Sequence, residues 1–342
     1  MTIFIIPLIL YFFCHYALKK IIPFLKDKSF VDKPSSRGNH KELIPKGGGI
    51  IIIPCLIISI LLYSHLETPI TNKWYVFLVS ILLLFVVSLI DDVKNLSAKI
   101  RLSVHFFCVL LSIYFLKPDI IFFINNHNLL ILEKIDINIL FFFLSLMIVM
   151  IWLWIINLFN FMDGMDGLIT TQMIFLSFLT NFLALFSLIN EQFQFLSLVV
   201  LSLFLAFIKY NRPKAQIFLG DSGSIPCGYI AGFILIDSFL SLGPFISFLI
   251  IILYFLLDSS ITLIKRIYKK ENLFVAHSDH FYQRMLRKGY SHEEVLKKIS
   301  ILWIILLFLS ILALKAQYIA LLLAILSTSI ILLYFKIKSK NE

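Results

Sequence analysis

A chain of 342 residues that is 60% hydrophobic and only 15% charged is too apolar for a soluble domain and fits a polytopic membrane protein. Its apolar runs are continuous rather than alternating. That pattern favours helices and excludes barrel strands, the two forms that can satisfy a backbone in lipid. The formal charge of +10 sits in the segments between the runs, where membrane topology explains it and nucleic-acid binding is not required.

Taking runs of about 16 to 21 apolar residues as spans, the sequence predicts eleven, at 2–18, 47–66, 74–90, 102–117, 138–156, 168–188, 193–209, 223–237, 242–262, 298–313 and 317–335. The first lacks a basic n-region and a small-residue cleavage site, so it reads as a retained span and not a signal peptide. Cys14, Cys55, Cys108 and Cys227 all fall within apolar runs without metal or disulfide spacing, as small core residues do. The expected fold is a single all-α integral-membrane domain over residues 1–342. Lys and Arg divide 26 to 4 between the two sides of this arrangement. The richer side holds loops 19–46, 91–101, 157–167, 209–222 and 263–298 and the C-terminal tail, and is expected to be cytoplasmic, with the N-terminus in the periplasm.

The polar clusters all fall on that richer side. Spans 2, 4, 6, 8 and 10 also enter from it, so the positive ends of their dipoles gather there, where phosphate binds readily. The first loop carries Arg37, Asn39 and His40, then Lys46 and three glycines from Gly47 to Gly49. The glycines allow close backbone approach to a ligand, and the basic side chains suit phosphate. The second loop begins with adjacent carboxylates, Asp91 and Asp92, near Asn95, Lys99 and Arg101. Such a pair repels itself unless Lys99, Arg101 or a hard metal answers it. The third, from Asn157 to Leu168, holds Asn160, Asp163 and Asp166 together with Gly164 and Gly167, between two apolar runs. Helix capping accounts for one of its acids and leaves the other without a task. The fourth contains Gly220-Asp221-Ser222-Gly223-Ser224 at a helix start, suited to a metal-bound diphosphate. The fifth reads His277-Ser-Asp279-His280-Phe-Tyr-Gln283-Arg284. Zinc would need a third strong ligand there, and phosphate hydrogen bonding suits the group better.

A transporter is the rival class. Transporters place charged groups near the bilayer midplane, often in broken helices, whereas these clusters sit at helix ends. Asp258 is the main ionisable residue within a span, about 6 Å from its end. Asp258→Asn is therefore expected to matter far less than Asp221→Asn.

Taken together, these residues resemble the polyprenyl-phosphate N-acetylhexosamine-1-phosphate transferase family, glycosyltransferase family 4. Asp91-Asp92 looks like its paired aspartates, Asn157 to Leu168 is similar to its Asn-x-x-Asn-x-x-Asp-Gly-x-Asp-Gly signature, and Phe218 to Ser224 resembles its Gly-Asp-x-Gly-Ser loop. The spacing of His277, His280, Gln283 and Arg284 looks like the short branch that starts O-antigen or related lipopolysaccharide glycans. The peptidoglycan branch carries more contiguous histidines, which leaves a phospho-N-acetylmuramoyl-pentapeptide transferase as the alternative. The resemblance implies an enzyme of the bacterial inner membrane that transfers a sugar-1-phosphate from a UDP-N-acetylhexosamine to undecaprenyl phosphate and releases UMP. It also implies Mg²⁺, for which Mn²⁺ substitutes. By motif position Asp221 would ligate the metal. Asn157, Asn160, Asp163 and Asp166 would serve the nucleotide diphosphate. Asp91 and Asp92, with Lys99 or Arg101, would handle the lipid phosphate, while Lys46, His277, His280, Gln283 and Arg284 would contact substrate. The expected partners are these substrates and membrane lipid, with no nucleic acid. The sequence fixes neither the sugar nor the oligomeric state, and a homodimer is one option.

Overall fold

The computed structural model describes residues 2–27, 31–32, 43–67, 69–94, 96–126, 136–272 and 277–339. Arg37, Asn39, His40, Asn95 and Lys134 lie outside them. In chain order the elements are α1 (Thr2–Asp27), β1 (Val31–Asp32), β2 (Ile44–Pro45), α2 (Gly49–Leu66), α3 (Asn72–Lys94), α4 (Ala98–Phe115), α5 (Lys117–Asn126), α6 (Ile137–Phe161) and α7 (Leu168–Leu185). They continue with α8 (Glu191–Asn211), α9 (Asp221–Leu240), α10 (Phe245–Ile251), α11 (Leu253–Tyr268), α12 (Phe281–Arg287) and α13 (His292–Lys338). The protein is an all-α, multi-pass membrane protein. Among the described residues nine helices are long and apolar enough to cross a membrane, and α10 with α11, bent by 64°, qualify together.

Several elements differ from the sequence expectation. The first helix runs on to Asp27, because Lys19, Lys20 and Lys26 are compatible with helix even where they end an apolar run. A short antiparallel β1–β2 pair and the helix α5 were not anticipated. The ninth run is two helices meeting at Ile252, not one. At this break Gln172 Nε2 donates to the Ile251 carbonyl at 3.2 Å, and Trp303 Nε1 donates to Gln172 Oε1 at 2.9 Å. These side chains serve a backbone that lipid could not. The tenth and eleventh runs share the 47 residues of α13, broken at Ala316 (φ −139°, ψ 63°). A straight helix of that length would be about 70 Å, more than twice a bilayer's apolar core. Instead the Lys298 ammonium lies 5.2 Å from the Tyr334 ring centre, so the two halves run antiparallel.

The eighth run, short and rich in small residues, becomes α9, the most deeply buried of the long helices. Its small residues are the reason. A Cβ at Gly228 would lie 2.8 Å from Ile156 Cα, and one at Gly232 would overlap the Trp152 ring. Close packing of α6 on α9 follows, with Trp152 Nε1 donating to the Tyr229 carbonyl at 3.1 Å. The other neighbours of α9 include α3 and α2. The Gly47–Gly49 segment, Asp92 and Asp163 are then brought to the N-terminal end of this one central helix.

Candidate active site

The α9 N-terminus is built by two segments distant in sequence. The Phe218 carbonyl accepts from the Gly47 and Gly48 N–H groups at 3.2 and 2.9 Å, the Leu219 carbonyl accepts from Gly49 N–H at 3.1 Å, and Phe218 N–H donates to Pro45 at 2.8 Å. A Cβ at Gly49 would lie 2.5 Å from Gly223 N. The close approach read from the three glycines is therefore made to the protein's own backbone, not to a ligand. Gly220, at φ 76°, turns the chain into α9 in a conformation that favours glycine.

Around this turn the paired aspartates separate into two tasks. Asp92 accepts from the Asp221 and Ser222 N–H groups at 3.3 and 3.1 Å, capping α9 from another helix. Asp91 accepts from Leu96 N–H at 2.6 Å and from Arg101 at 2.9 Å. The same Arg101 nitrogen stands 3.5 Å from an Asp221 oxygen. Arg101 is therefore the cation that answers the acids, joining Asp91 to Asp221, while Lys99 is exposed. Asp163 comes to the same turn, where it accepts from Gly220 N–H and lies within electrostatic reach of Asp92, Asp221 and Lys46. Burial, with Asp221 and Asp92 adding to it, holds the Asp163 carboxyl well above the usual carboxylate range, against the lowering influence of Lys46 and Gly220.

Beneath this cluster lies a cavity of about 470 Å³ between α4 and α6, with Ile225 and Leu263 closing its far side. Arg101 lines its polar end together with Asn157 and Asn160. Asn157 donates its amide to its own helix, at the Leu153 carbonyl, 2.7 Å away. The rest of the lining is mainly apolar, including Leu102, Met150 and Trp154.

Asp166 belongs to a different group. It is buried, and its Oδ2 accepts from Lys214 and Ala215 N–H, both at 3.1 Å, while His292 Nδ1 lies 3.2 Å from its Oδ1. Its visible work is to tie the third loop to the fourth and to α13. Asn211 assists by accepting from Gly167 N–H at 3.2 Å and the Thr170 hydroxyl at 2.6 Å.

The fifth loop is anchored by Asp258, which the sequence reading set aside. Asp258 is buried; its Oδ1 lies 3.1 Å from His280 Nδ1 and accepts from Phe281 N–H at 3.1 Å, and its Oδ2 accepts from Tyr254 at 3.2 Å. His280 is thereby fixed inside the protein, where it has no open face for a substrate. The clue was available: an ionisable residue inside an apolar run is functional by default. Gln283 Oε1 accepts from His280 N–H at 3.3 Å, and Arg284 Nε donates to the Asp279 carbonyl at 2.8 Å. Arg266 binds Asp279 at 2.6 Å and the Asn272 carbonyl at 2.9 Å. Tyr282 donates to the Phe161 carbonyl at 3.1 Å and packs against Gly164, which docks the loop on the Asn157–Leu168 stretch. His277 stacks on His280 with ring centres 5.2 Å apart. Burial, then His280 and Arg266, pushes its imidazole down to about 4, against the opposing charge of Asp279.

Among the described residues, no three or more His, Cys, Asp or Glu side chains are grouped as a metal site. The donor set still suits a hard cation. Asp91, Asp92, Asp163 and Asp221 gather at one helix end, with Lys46 and Arg101 beside them. Mg²⁺ is usually held by one or two carboxylates together with substrate phosphates, without a full protein cage.

A family profile described as glycosyl transferase family 4 matches residues 74–239. The chain is 28% identical over 274 residues to a probable undecaprenyl-phosphate N-acetylglucosaminyl 1-phosphate transferase of Bacillus subtilis, covering 77% of this chain and 71% of that one. It is 27% identical over 206 residues to the undecaprenyl-phosphate alpha-N-acetylglucosaminyl 1-phosphate transferase of Thermotoga maritima, covering 60% and 56%. A phospho-N-acetylmuramoyl-pentapeptide-transferase of Nautilia profundicola is 30% identical over 233 residues, covering 58% and 62%. The matched region contains the Asp91–Asp92 pair, the Asn157–Leu168 stretch and the Asp221 turn, the three segments that meet at the head of α9, and over it the chain is similar to glycosyl transferase family 4 and to the membrane phosphoglycosyltransferases named above.

Proposed function

We propose that this enzyme transfers a HexNAc-1-phosphate from a UDP-N-acetylhexosamine to undecaprenyl phosphate, yielding undecaprenyl-diphospho-HexNAc and UMP. The reaction would be the first membrane step of O-antigen or a related surface polysaccharide, at the cytoplasmic face of the inner membrane. The observation that carries the reading is Arg101, which joins Asp91 to Asp221 at the head of α9 and also lines the apolar cavity between α4 and α6. A lipid phosphate needs such a junction, with a cation for its head and a lipid-like surface for its first isoprene units. Two relatives are named for undecaprenyl phosphate and N-acetylglucosamine 1-phosphate, which favours those substrates.

In this reading eleven spans cross the membrane, counting α10 with α11 as one and α13 as two antiparallel ones. The 26-to-4 division of Lys and Arg puts the site end in the cytoplasm. An acceptor oxygen attacks the β-phosphorus of the sugar nucleotide, and the bond to the UMP oxygen breaks. Arg101 holds the acceptor phosphate against the cluster. Lys46, which lies within electrostatic reach of Asp163 and Asp221, faces the diphosphate. Mg²⁺, with Mn²⁺ as substitute, would be held by Asp221, with Asp163 beside it, and would supply charge neutralisation to the diphosphate. His277 and Arg284, on the fifth loop, border the sugar side.

The peptidoglycan precursor is the second reading, favoured by relatives named phospho-N-acetylmuramoyl-pentapeptide-transferase. One assay separates the two. Membranes containing the protein, given undecaprenyl phosphate and Mg²⁺, are offered a panel of UDP-sugars that includes UDP-N-acetylmuramoyl-pentapeptide. UMP release from a simple UDP-N-acetylhexosamine, abolished by EDTA, is expected. Release only from the pentapeptide precursor would replace the first reading with the second, and EDTA-resistant turnover would remove the metal.

A further inference from the structure

His105 lies on α4, four residues past Arg101 and about 6 Å deeper along the helix. It is buried, yet its Nδ1 has no hydrogen-bond partner. It lines the same cavity as Arg101, facing a surface formed by Leu102, Met150, Leu153 and Ile225. Among the described residues it alone combines a buried, unpartnered polar atom with a place in that cavity. Unpartnered polar atoms are costly in an apolar interior, and this one belongs to a ring that lines a ligand-sized space, where a small shift of the ring would let a ligand satisfy it.

We propose that His105 binds the lipid acceptor: an imidazole N–H donates to its phosphate, below the oxygens that Arg101 holds. This rests on the reading that a polyprenyl phosphate occupies the cavity. A neutral imidazole presents one N–H donor and one acceptor nitrogen. Arg101 and His105, one turn apart on the same helix face, then grip the phosphate from its cytoplasmic and membrane sides. The pair sets how deeply the head group sits, and hence where the attacking oxygen stands relative to the diphosphate. Depth is what a prenyl chain alone defines poorly, since every isoprene unit offers the cavity the same apolar surface. An alcohol offers one uncharged oxygen where a phosphate offers several charged ones, so it could not serve Arg101 and His105 together, and the pair also selects for the phosphorylated lipid.

The test uses purified full-length protein in detergent and the UDP-N-acetylhexosamine that the wild type turns over fastest. For His105→Leu, the KM for undecaprenyl phosphate is expected to rise about ten- to a hundredfold, as for a lost hydrogen bond to a charged group. The KM for the UDP-sugar should stay within about twofold. His105→Gln, whose amide can donate from a similar depth, should recover most of the loss. His105→Asn, too short to reach, replaces the leucine variant if that protein does not accumulate. A second readout does not need turnover. Undecaprenyl phosphate should raise the melting temperature of the wild type and fail to raise that of His105→Leu, while undecaprenol should not distinguish them. An unchanged acceptor KM, equal shifts in both KM values, or equal stabilisation of wild type and variant would overturn the role. If the wild type itself released no UMP with any UDP-sugar, the proposed function would fall, and the melting comparison would still decide whether His105 binds the lipid phosphate.

Discussion

Arg101→Met removes the charge that joins Asp91 to Asp221 while keeping an apolar stem of similar length. At 2.9 and 3.5 Å the two contacts each correspond to a gross attraction of about 5 kcal/mol at an effective dielectric constant of about 20. Desolvation removes most of that, and Arg101 is one-third exposed at its side chain, 33%, so the loss of stability is about 1–2 kcal/mol. Asp91 also keeps its bond from Leu96 N–H at 2.6 Å, which limits the collapse of the turn. Turnover should suffer more, because in the proposed reaction the same guanidinium positions the acceptor phosphate for attack. Loss of such positioning typically costs about 10²-fold in rate. Arg101→Lys supplies a point charge where the bridge needs a fork, and should retain about a tenth of wild-type kcat/KM. UMP release is measured against acceptor concentration in purified protein, with thermal melting alongside. A methionine variant within about threefold of wild-type kcat/KM would refute the bridge as a working element. So would a loss of activity that matched a loss of folded protein.

Asp258→Asn, expected from sequence to be mild, is now expected to lower kcat strongly and to expose the fifth loop to trypsin. An amide accepts through one oxygen and puts a donor where Tyr254 or Phe281 donates, at a cost of about 2 kcal/mol; near-normal turnover and protease resistance would sink this view. Asp163→Asn should abolish turnover yet raise the melting temperature by about 2 °C without divalent cations, because it removes a carboxylate disfavoured by burial and by Asp221 and Asp92. A lower melting temperature would mean that the acidic cluster is not strained. For His277, the folded value of about 4 lies below the ordinary imidazole value of about 6.5. The folded protein therefore binds fewer protons than the unfolded chain between those limits. Stability should be indifferent to this group above pH 6.5 and fall as pH drops from 6.5 towards 4. His277→Asn should flatten that part of the acid-melting curve, and superimposable curves would contradict the assignment.

The helical, membrane-spanning character was legible because lipid enforces continuous apolar runs, and the division of basic residues sorted the loops into two groups. Motif spacing in turn marked Asp91, Asp163 and Asp221, which do meet. Spacing could not say how two neighbouring aspartates divide their work, since Asp91 and Asp92 point to different partners only once α9 has packed against α3. Nor could it separate Asp166, three residues from Asp163, from the acidic cluster. That difference depends on Lys214 and His292 arriving from elsewhere in the chain. Asp258 was visible as an ionisable residue within a span, but its weight depends on His280 and Phe281 arriving across the bundle. His105 was hidden for a different reason: it makes no pattern with its neighbours in sequence and acquires meaning from the cavity it lines.

The proposed chemistry explains why cations and acids are mixed at one helix end. A phosphate monoester, with a second pKa of about 6, reaches the site mostly dianionic at neutral pH. Its attack on the β-phosphorus converts two doubly charged reactants into two doubly charged products, so no proton has to move. A general base would then be idle, and Asp91 is better placed as a holder of Arg101 than as a proton acceptor. The difficulty is bringing four negative charges together, and phosphoryl transfer is catalysed mainly by meeting it. Arg101 and Lys46 serve that need directly. Asp163 and Asp221 oppose it unless a divalent cation stands between them and the diphosphate. Holding two carboxylates against burial and mutual repulsion at the point of anion binding is reasonable only if they recruit positive charge. Removing the metal should therefore cost more activity than removing either acid's partner cation, since without it the acids repel the very substrate that Arg101 draws in.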